Sequence, residues 1–344
     1  MAGGETGLLR LLPLLAERGW DVSATVPGPG RLRKALQRAG VDVHTLPLGP
    51  PERRTAASYA GALLAAGVLR GADVALLNGL STQRVVPALR LLRRPAVLIV
   101  NNPVTEAPPA WSDTRHWRTV RAIAAASDHS ARECRAAGAP ERLVHTAYAA
   151  AWEGANPPGA GAPPPSGRRV GFFGQIEPRK GVLELIEAAR VFLDGRPDAT
   201  LTIVGEPPDP EDRYARRVRE AAAGVERVQL AGFRENAAES MVAFDLVVVP
   251  SLAEPYGTVS AEAAAAGRPA VISAVGGMAE VVIDGQTGLR VPPGDPAALA
   301  EAVGTLLDDP ERMRAMGACA LEHSNRFSPR VYADTVHALM TGVR

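Results

Sequence analysis

The chain has 344 residues and a formal net charge of +1, and 46% of it is apolar. That length exceeds what one core supports, which argues for two domains, and a near-neutral total carries no nucleic-acid signature. Two cysteines in different halves, Cys134 and Cys319, form neither a disulfide framework nor a metal spacing, and with no membrane-length apolar run and no signal-peptide pattern a cytoplasmic protein is expected.

Gly3, Gly4, Glu5 and Thr6 read as a loop, and residues 8–18 carry a helical apolar spacing that stops at Gly19. Strand and helix patterns then alternate. Strands are predicted at 21–26, 41–46, 73–77 and 96–100, and helices at 31–39, 56–69 and 82–92. Such alternation implies a parallel sheet with helices on both faces. Ligands of these sheets bind at the carboxyl ends of the strands. Asn101 and Asn102 occupy such an end, as a polar turn or as a ligand contact. Residues 114–125 read as a helix, with Arg115 and Arg118 on one face and Arg121 nearby. This is a solvated face, or a contact for an anionic acceptor or membrane headgroup. A helix is expected within 127–138. The Pro/Gly run at 155–167 marks the domain boundary.

The second half opens with a strand at 169–173. A loop follows, Gly174-Gln175-Ile176-Glu177-Pro178-Arg179-Lys180-Gly181, and then an amphipathic helix to about 193. Lys34 and Lys180 are the only lysines among 38 basic residues, so a lysine kept here suggests a use that a planar guanidinium cannot serve. A strand at 200–204 ends in Gly205, and one at 228–230 leads to Gly232 and Phe233. The apolar run at 244–249 is a buried strand bounded by Pro250. Glu254 lies in the loop after it. A short helix begins near Thr258 and stops at Gly267, with Pro269 beyond. Glu262 therefore sits just over one turn into that helix. The helix start presents free N–H groups and the positive end of a dipole, which suits a phosphate. The two carboxylates can accept hydrogen bonds from hydroxyls. A strand at 270–273, a Gly-rich turn at Gly276-Gly277, a return strand near 289 and a last helix at 331–340 complete the pattern.

The stretch from Glu254 to Glu262 resembles the Glu-x7-Glu motif of the retaining GT-B glycosyltransferases, specifically glycosyltransferase family 4 (glycosyl transferases group 1), and the resemblance runs through most of 170–325. It implies an α/β fold of two Rossmann-like doubly wound parallel-sheet domains facing a cleft. Residues 1–155 would form an acceptor-side domain, 156–168 a linker, 169–326 a nucleotide-sugar-binding domain, and 327–344 a helix crossing back to the first.

The resemblance also implies roles. Glu254 would accept from donor-sugar hydroxyls. Tyr256, Gly257 and Thr258 would offer backbone N–H groups to sugar and phosphates. Glu262 would hold the ribose, and Lys180 would offset charge on the departing diphosphate. Gly174 and Arg179 would line the diphosphate loop, and Gly232 and Phe233 would lie against the nucleobase. Gly3, Gly4, Asn101 and Asn102 would be on the acceptor side. No metal or cofactor is implied beyond the nucleotide-sugar co-substrate. The acceptor would be a small molecule, a lipid-linked species or a glycan.

Three departures stand out. Gln175 occupies the position of the family's Arg, and Asn101-Asn102 that of a His-Asp-like pair. The strand that precedes the Gly-Gly loop in the family is missing. That strand is central in a doubly wound sheet, and its loss leaves neighbouring backbone groups unpaired. The expectation is a start upstream of Met1. A non-catalytic sugar-nucleotide-binding relative with a degraded first domain is the alternative.

The excess of charge is uneven. Residues 1–155 hold 19 basic against 12 acidic residues, and the remainder 19 against 25. Two domains of opposite sign, an anionic acceptor, or a basic first domain touching an anionic membrane would each account for it. No Gly-x-Gly-x-x-Gly follows a strand, which argues against a dinucleotide oxidoreductase. The glutamates are not read as a glycosidase pair, since one carboxylate would meet the sugar and the other the ribose.

Overall fold

A computed structural model describes residues 3–47, 56–104, 117, 120–165 and 167–344. The chain divides into two compact units, Met1–Ala150 with Pro329–Arg344, and Ala151–Ser328.

The first unit runs α1 (Gly3–Glu17), β1 (Ser23–Val26), α2 (Arg31–Arg38), β2 (Asp42–Thr45), α3 (Ala56–Leu69) and β3 (Ala75–Asn78). A 3-10 turn, Leu80–Val85, then leads into α4 (Val86–Leu91), β4 (Ala96–Val100), β5 (Ala122–Ala125), α5 (Asp128–Ala136) and β6 (Val144–Thr146). β4 and β5 are buried along their whole length, as continuous apolar runs inside a parallel sheet should be. All pairings are parallel, but they form two separate ladders, β1-β2 and β3-β4-β5-β6. Among the described residues, no strand pairs with the second edge of β1 or of β3. The two ladders still share one core, in which Val26 and Val43 meet Val97, Ile99, Ala122 and Ala124 beneath Leu11, Leu15 and Leu36.

Local readings needed correction here. Gly3 to Thr6 is the first turn of α1 rather than a loop. The segment expected as a helix at 82–92 begins as a 3-10 turn. Ala122–Ala125 is a strand and not a helix end: Ala and Ile have no strong local veto, and hydrogen bonds from β4 and β6 on both sides decide the conformation. Of that same segment, Trp117 is buried and Arg121 exposed, while Arg115 and Arg118 lie outside the described residues.

The second unit runs β7 (Arg169–Phe173), α6 (Val182–Phe192), β8 (Thr200–Val204), α7 (Arg213–Ala223), β9 (Val228–Gly232), α8 (Ala237–Met241) and β10 (Leu246–Val249). It continues with α9 (Thr258–Ala265), β11 (Ala270–Ser273), α10 (Met278–Val281), β12 (Gly288–Val291), α11 (Pro296–Asp308) and α12 (Pro310–His323). Its six strands are parallel in the order β12-β11-β10-β7-β8-β9. α6 shows how pattern becomes packing. Val182, Leu185, Ile186, Ala189 and Phe192 recur at helical spacing and are buried, where they join Phe172, Leu201 and Val248 from the sheet.

The Pro/Gly run, expected as a linker, packs within this unit. Gly159 N donates to Ala265 O at 2.8 Å, and the buried Arg268 guanidinium donates to Pro163 O and Val242 O, each at 2.8 Å. The last helix, α13 (Pro329–Val343), belongs to the first unit. There Arg18 bonds Asp334 at 2.6 Å, and Trp20 Nε1 donates to His337 Nδ1 at 3.0 Å. Among the described residues, no helix is long and apolar enough to cross a membrane.

Candidate functional site

β10 lies between β7 and β11, so the segments leaving the carboxyl ends of β7 and β10 are neighbours. They interlock through the backbone, where Leu252 N donates to Arg179 O at 2.8 Å. Gly181 makes this approach possible. It takes φ +66° as the residue before α6, and a Cβ there would stand 2.1 Å from Pro250 O. The glycine both adopts the left-handed turn and lets one loop touch the other.

On this frame the side chains meet. Lys180 Nζ donates to Glu254 Oε2 at 2.5 Å, with side-chain exposures of 14% and 13%. Arg179 Nη1 donates to Ala253 O at 3.1 Å and lies 3.7 Å from the same Glu254 oxygen. Arg179 Nη2 donates to Glu177 Oε1 at 2.7 Å. Two cations and two carboxylates thus balance within one small cluster. A dianionic ligand entering it would find cations that need only exchange partners, not new charge brought from solvent.

Glu254 is held from behind as well. Gly277 N donates to Glu254 O at 3.2 Å. Gly276, at φ +56°, comes so close that its Cβ would clash with that carbonyl at 1.7 Å. After Glu254 the chain passes the buried Tyr256, whose ring meets Phe327 edge-on at 6.2 Å. Gly257, in the left-handed region, then begins α9 without a side-chain cap. Ser260 N and Ala261 N turn back to Gly257 O, so the N–H groups of Thr258 and Val259 are the ones a ligand could use. Glu262, 4% exposed, is buried in the same helix.

Gly174 and exposed Gln175 leave β7. Gly232 ends β9 at φ +69°, and Phe233 beyond it is 38% exposed. The eleven donor-side residues expected from the sequence therefore gather along the carboxyl edge of one sheet. Gln175 brings no charge there. Arg179, whose direction the sequence leaves open, turns toward the Glu254 loop.

The other expected residues lie in the first unit. Asn101 follows β4 and donates through Nδ2 to Asn78 Oδ1 at 2.8 Å, while Asn78 Nδ2 donates to Gly4 O at 3.1 Å. A Cβ on Gly4 would stand 2.3 Å from Asn101 Nδ2. Gly4 and Asn101 are thus brought together at the start of α1, with Gly3 one residue earlier in that turn. Exposed Asn102 follows Asn101, and its Oδ1 would lie 3.4 Å from a Cβ on Gly79.

Sequence reasoning missed Asn78. The Asn-Gly pair closing an apolar strand was the available signal. It also missed Glu177, and the hydroxyls of Ser251 and Ser260, both buried and without a hydrogen-bond partner. Nothing local announced those.

Residues 167–309 match the family described as Glycosyl transferases group 1. The chain is 39% identical over 167 residues to a D-inositol 3-phosphate glycosyltransferase of Corynebacterium glutamicum (strain R), covering 46% of this chain and 40% of that one. A protein of the same description from Streptomyces scabiei (strain 87.22) is 36% identical over 165 residues, or 45% and 37% of the two chains. The chain thus spans about two fifths of the length of these curated relatives. In three dimensions it is similar to Anabaena HepE in complex with UDP and glucose, with TM-score 0.82, 21% identity, and 99% and 96% of the two chains covered. It is also similar to the sucrose-phosphate synthase of Thermosynechococcus elongatus, with TM-score 0.73, 22% identity, and 97% and 91% covered. With its glycine-bounded loops, paired Lys180 and Glu254 and matched segment, the chain carries a glycosyl transferases group 1 domain over residues 167–309 and has the GT-B glycosyltransferase fold.

Proposed function

We propose that this protein is a glycosyltransferase that moves a sugar from a nucleotide-sugar donor to an acceptor hydroxyl, retaining anomeric configuration and using no metal. The observation that carries the reading is the contact of Lys180 with Glu254 beside the uncapped start of α9. The complexes of HepE with UDP and with UDP-glucose support a nucleotide-sugar donor. The curated relatives' description as glycosyltransferases supports transfer.

The donor diphosphate would take the N–H groups of Thr258 and Val259, and Lys180 would pass from Glu254 to the leaving phosphate. Glu254, released, would accept from a sugar hydroxyl, and Glu262 from the ribose. As the bond from the anomeric carbon to the phosphate oxygen breaks, the acceptor oxygen bonds to the same face of that carbon. The acceptor proton passes to the departing phosphate. The nucleoside diphosphate leaves with its charge offset by Lys180 and, in place of a cation at Gln175, by Arg179.

A second reading, donor binding without transfer, is favoured by the divided ladder of the first unit. One experiment separates the two. UDP-, GDP-, ADP- and dTDP-sugars are screened without metal for thermal stabilisation and nucleotide release, alongside Lys180→Ala and Glu262→Ala. Stabilisation and release by one donor, lost in both variants, supports transfer. Stabilisation with no release under any acceptor supports binding alone. A folded protein that no donor shifts overturns both.

A further inference from the structure

α9 is an unusual helix to present to a ligand. It is eight residues long, and Ser260, Ala261, Glu262, Ala263, Ala264 and Ala265 are all buried. A helix this short is marginal by itself, and alanines offer only shallow ridges to stop it sliding along its axis. Its start has no side-chain cap. The position of its first turn is therefore set from the other end.

That end is fully bonded. Arg268 N donates to Ala263 O and Gly267 N to Ala264 O, each at 2.9 Å, with Gly267 left-handed at φ +67°. Ala266 N donates to Glu262 O at 2.9 Å. The last helical carbonyl, Ala265 O, receives Gly159 N at 2.8 Å. This N–H comes from the segment 159–165, which lies across the helix end as a strap. Glycine is required at 159, because a Cβ there would stand 2.5 Å from Ala266 C and 2.6 Å from Gly267 N. Further along the strap, Pro163 O accepts from the Arg268 guanidinium, which also bonds Val242 O, each at 2.8 Å. Arg268 is 2% exposed, and a buried guanidinium is costly unless it is bonded and balanced. The two carbonyls and the charge of buried Asp245 meet that need. α12 closes the same end, where a Cβ on Gly317 would stand 2.6 Å from Gly267 O and 3.4 Å from Pro165 Cγ.

We infer that Gly159 and Arg268 are positioning residues for the nucleotide-sugar site. The strap fixes α9 along its axis, and with it the N–H groups of Thr258 and Val259 and the carboxylate of Glu262. Thr258 and Ala265 are about 10 Å apart along the helix, so the strap acts on a donor only through α9. The consequence for binding rests on the proposed function, whereas the hold on α9 is observable without any ligand.

The test combines amide exchange over α9 with calorimetric titration of UDP (or of GDP, ADP or dTDP, should the wild type prefer one) in Gly159→Ala, Arg268→Gln and Arg268→Lys. Residues 258–265 should exchange faster in Gly159→Ala and Arg268→Gln than in wild type. Nucleotide affinity should fall by about 10- to 100-fold, the range that small misplacements of positioned groups cost. Arg268→Lys, which can still donate to one carbonyl, should recover part of the loss. Val218→Ala, which opens a cavity at a buried position on α7, lowers stability without touching the strap, and its affinity should stay at the wild-type value. Wild-type protection of α9 in the folded strap variants overturns the inference, and so does wild-type affinity. A loss in Val218→Ala as large as in the strap variants also overturns it, since binding would then follow stability alone. If Gly159→Ala does not fold, the Arg268 variants decide. A wild-type protein that binds none of the four nucleotides refutes the donor reading instead, and exchange over α9 still decides the strap.

Discussion

Replacing Glu254 by glutamine should separate phosphate binding from transfer, with opposite signs. In the free protein Lys180 and Glu254 are 2.5 Å apart and mostly buried, at 14% and 13% exposure. A diphosphate that recruits Lys180 must first part them. The bare attraction of a pair ~4 Å apart at an effective dielectric near 20 is ~4 kcal/mol. Part of that is offset by the solvation each group recovers, and part by Arg179, which remains 3.7 Å from the same oxygen. A net of about 1–2 kcal/mol is left, between the values of exposed and buried pairs.

Glu254→Gln keeps the volume, frees Lys180 and removes a negative charge from beside the phosphates. UDP measured by titration calorimetry should therefore bind about 5–30-fold more tightly. Turnover of the donor should fall by about 100-fold or more, because the stabilisation that develops only in the transition state has lost its anchor on the sugar. Unchanged or weaker UDP affinity in a variant with a normal thermal transition would refute the idea that Glu254 restrains Lys180.

Three further outcomes follow from the geometry. Gly276→Ala should lower stability by about 1–3 kcal/mol and weaken donor binding, since its Cβ must displace the Glu254 carbonyl from a left-handed position; a thermal transition equal to wild type would contradict it. Burial pushes the Cys134 thiol up to about 12, so at pH 8 iodoacetamide should label exposed Cys319 alone. Above pH ~9, where an unfolded thiol ionises, the folded state should lose stability progressively through Cys134, and Cys134→Ala should flatten that decline. Amide exchange should be faster in β1 and β2, which form a two-stranded ladder, than in β7 and β10 at the centre of six strands; equal protection would show that the shared core compensates for the open edge.

The residues that the structure gathers around Lys180 and Glu254 were mostly legible from the sequence because their signals are local. Gly181 and Gly276 stand where loops touch, Lys180 is one of two lysines, and Glu254 and Glu262 are fixed by the strand–loop–helix pattern around them. The cluster around Asn101 was less legible. Asn78 ends β3 and Asn101 follows β4, and only the pairing of Ala75 with Ala96 in register brings their side chains together. Ala122–Ala125 went astray for the same reason, because a four-residue apolar run takes its conformation from the strands beside it.

The alternation of strands and helices, the glycine-bounded loops and the two glutamates were thus determined by the sequence itself, through periodicity and turn chemistry that each segment carries alone. The tertiary structure decided what those groups do to one another. Lys180 meets Glu254 across a sequence separation of 74 only because the parallel sheet sets β10 against β7. Arg179 turns inward because Ala253 O and Glu177 are there to receive it. The division into the ladders β1-β2 and β3-β4-β5-β6 is likewise settled by strand pairing, which joins distant residues.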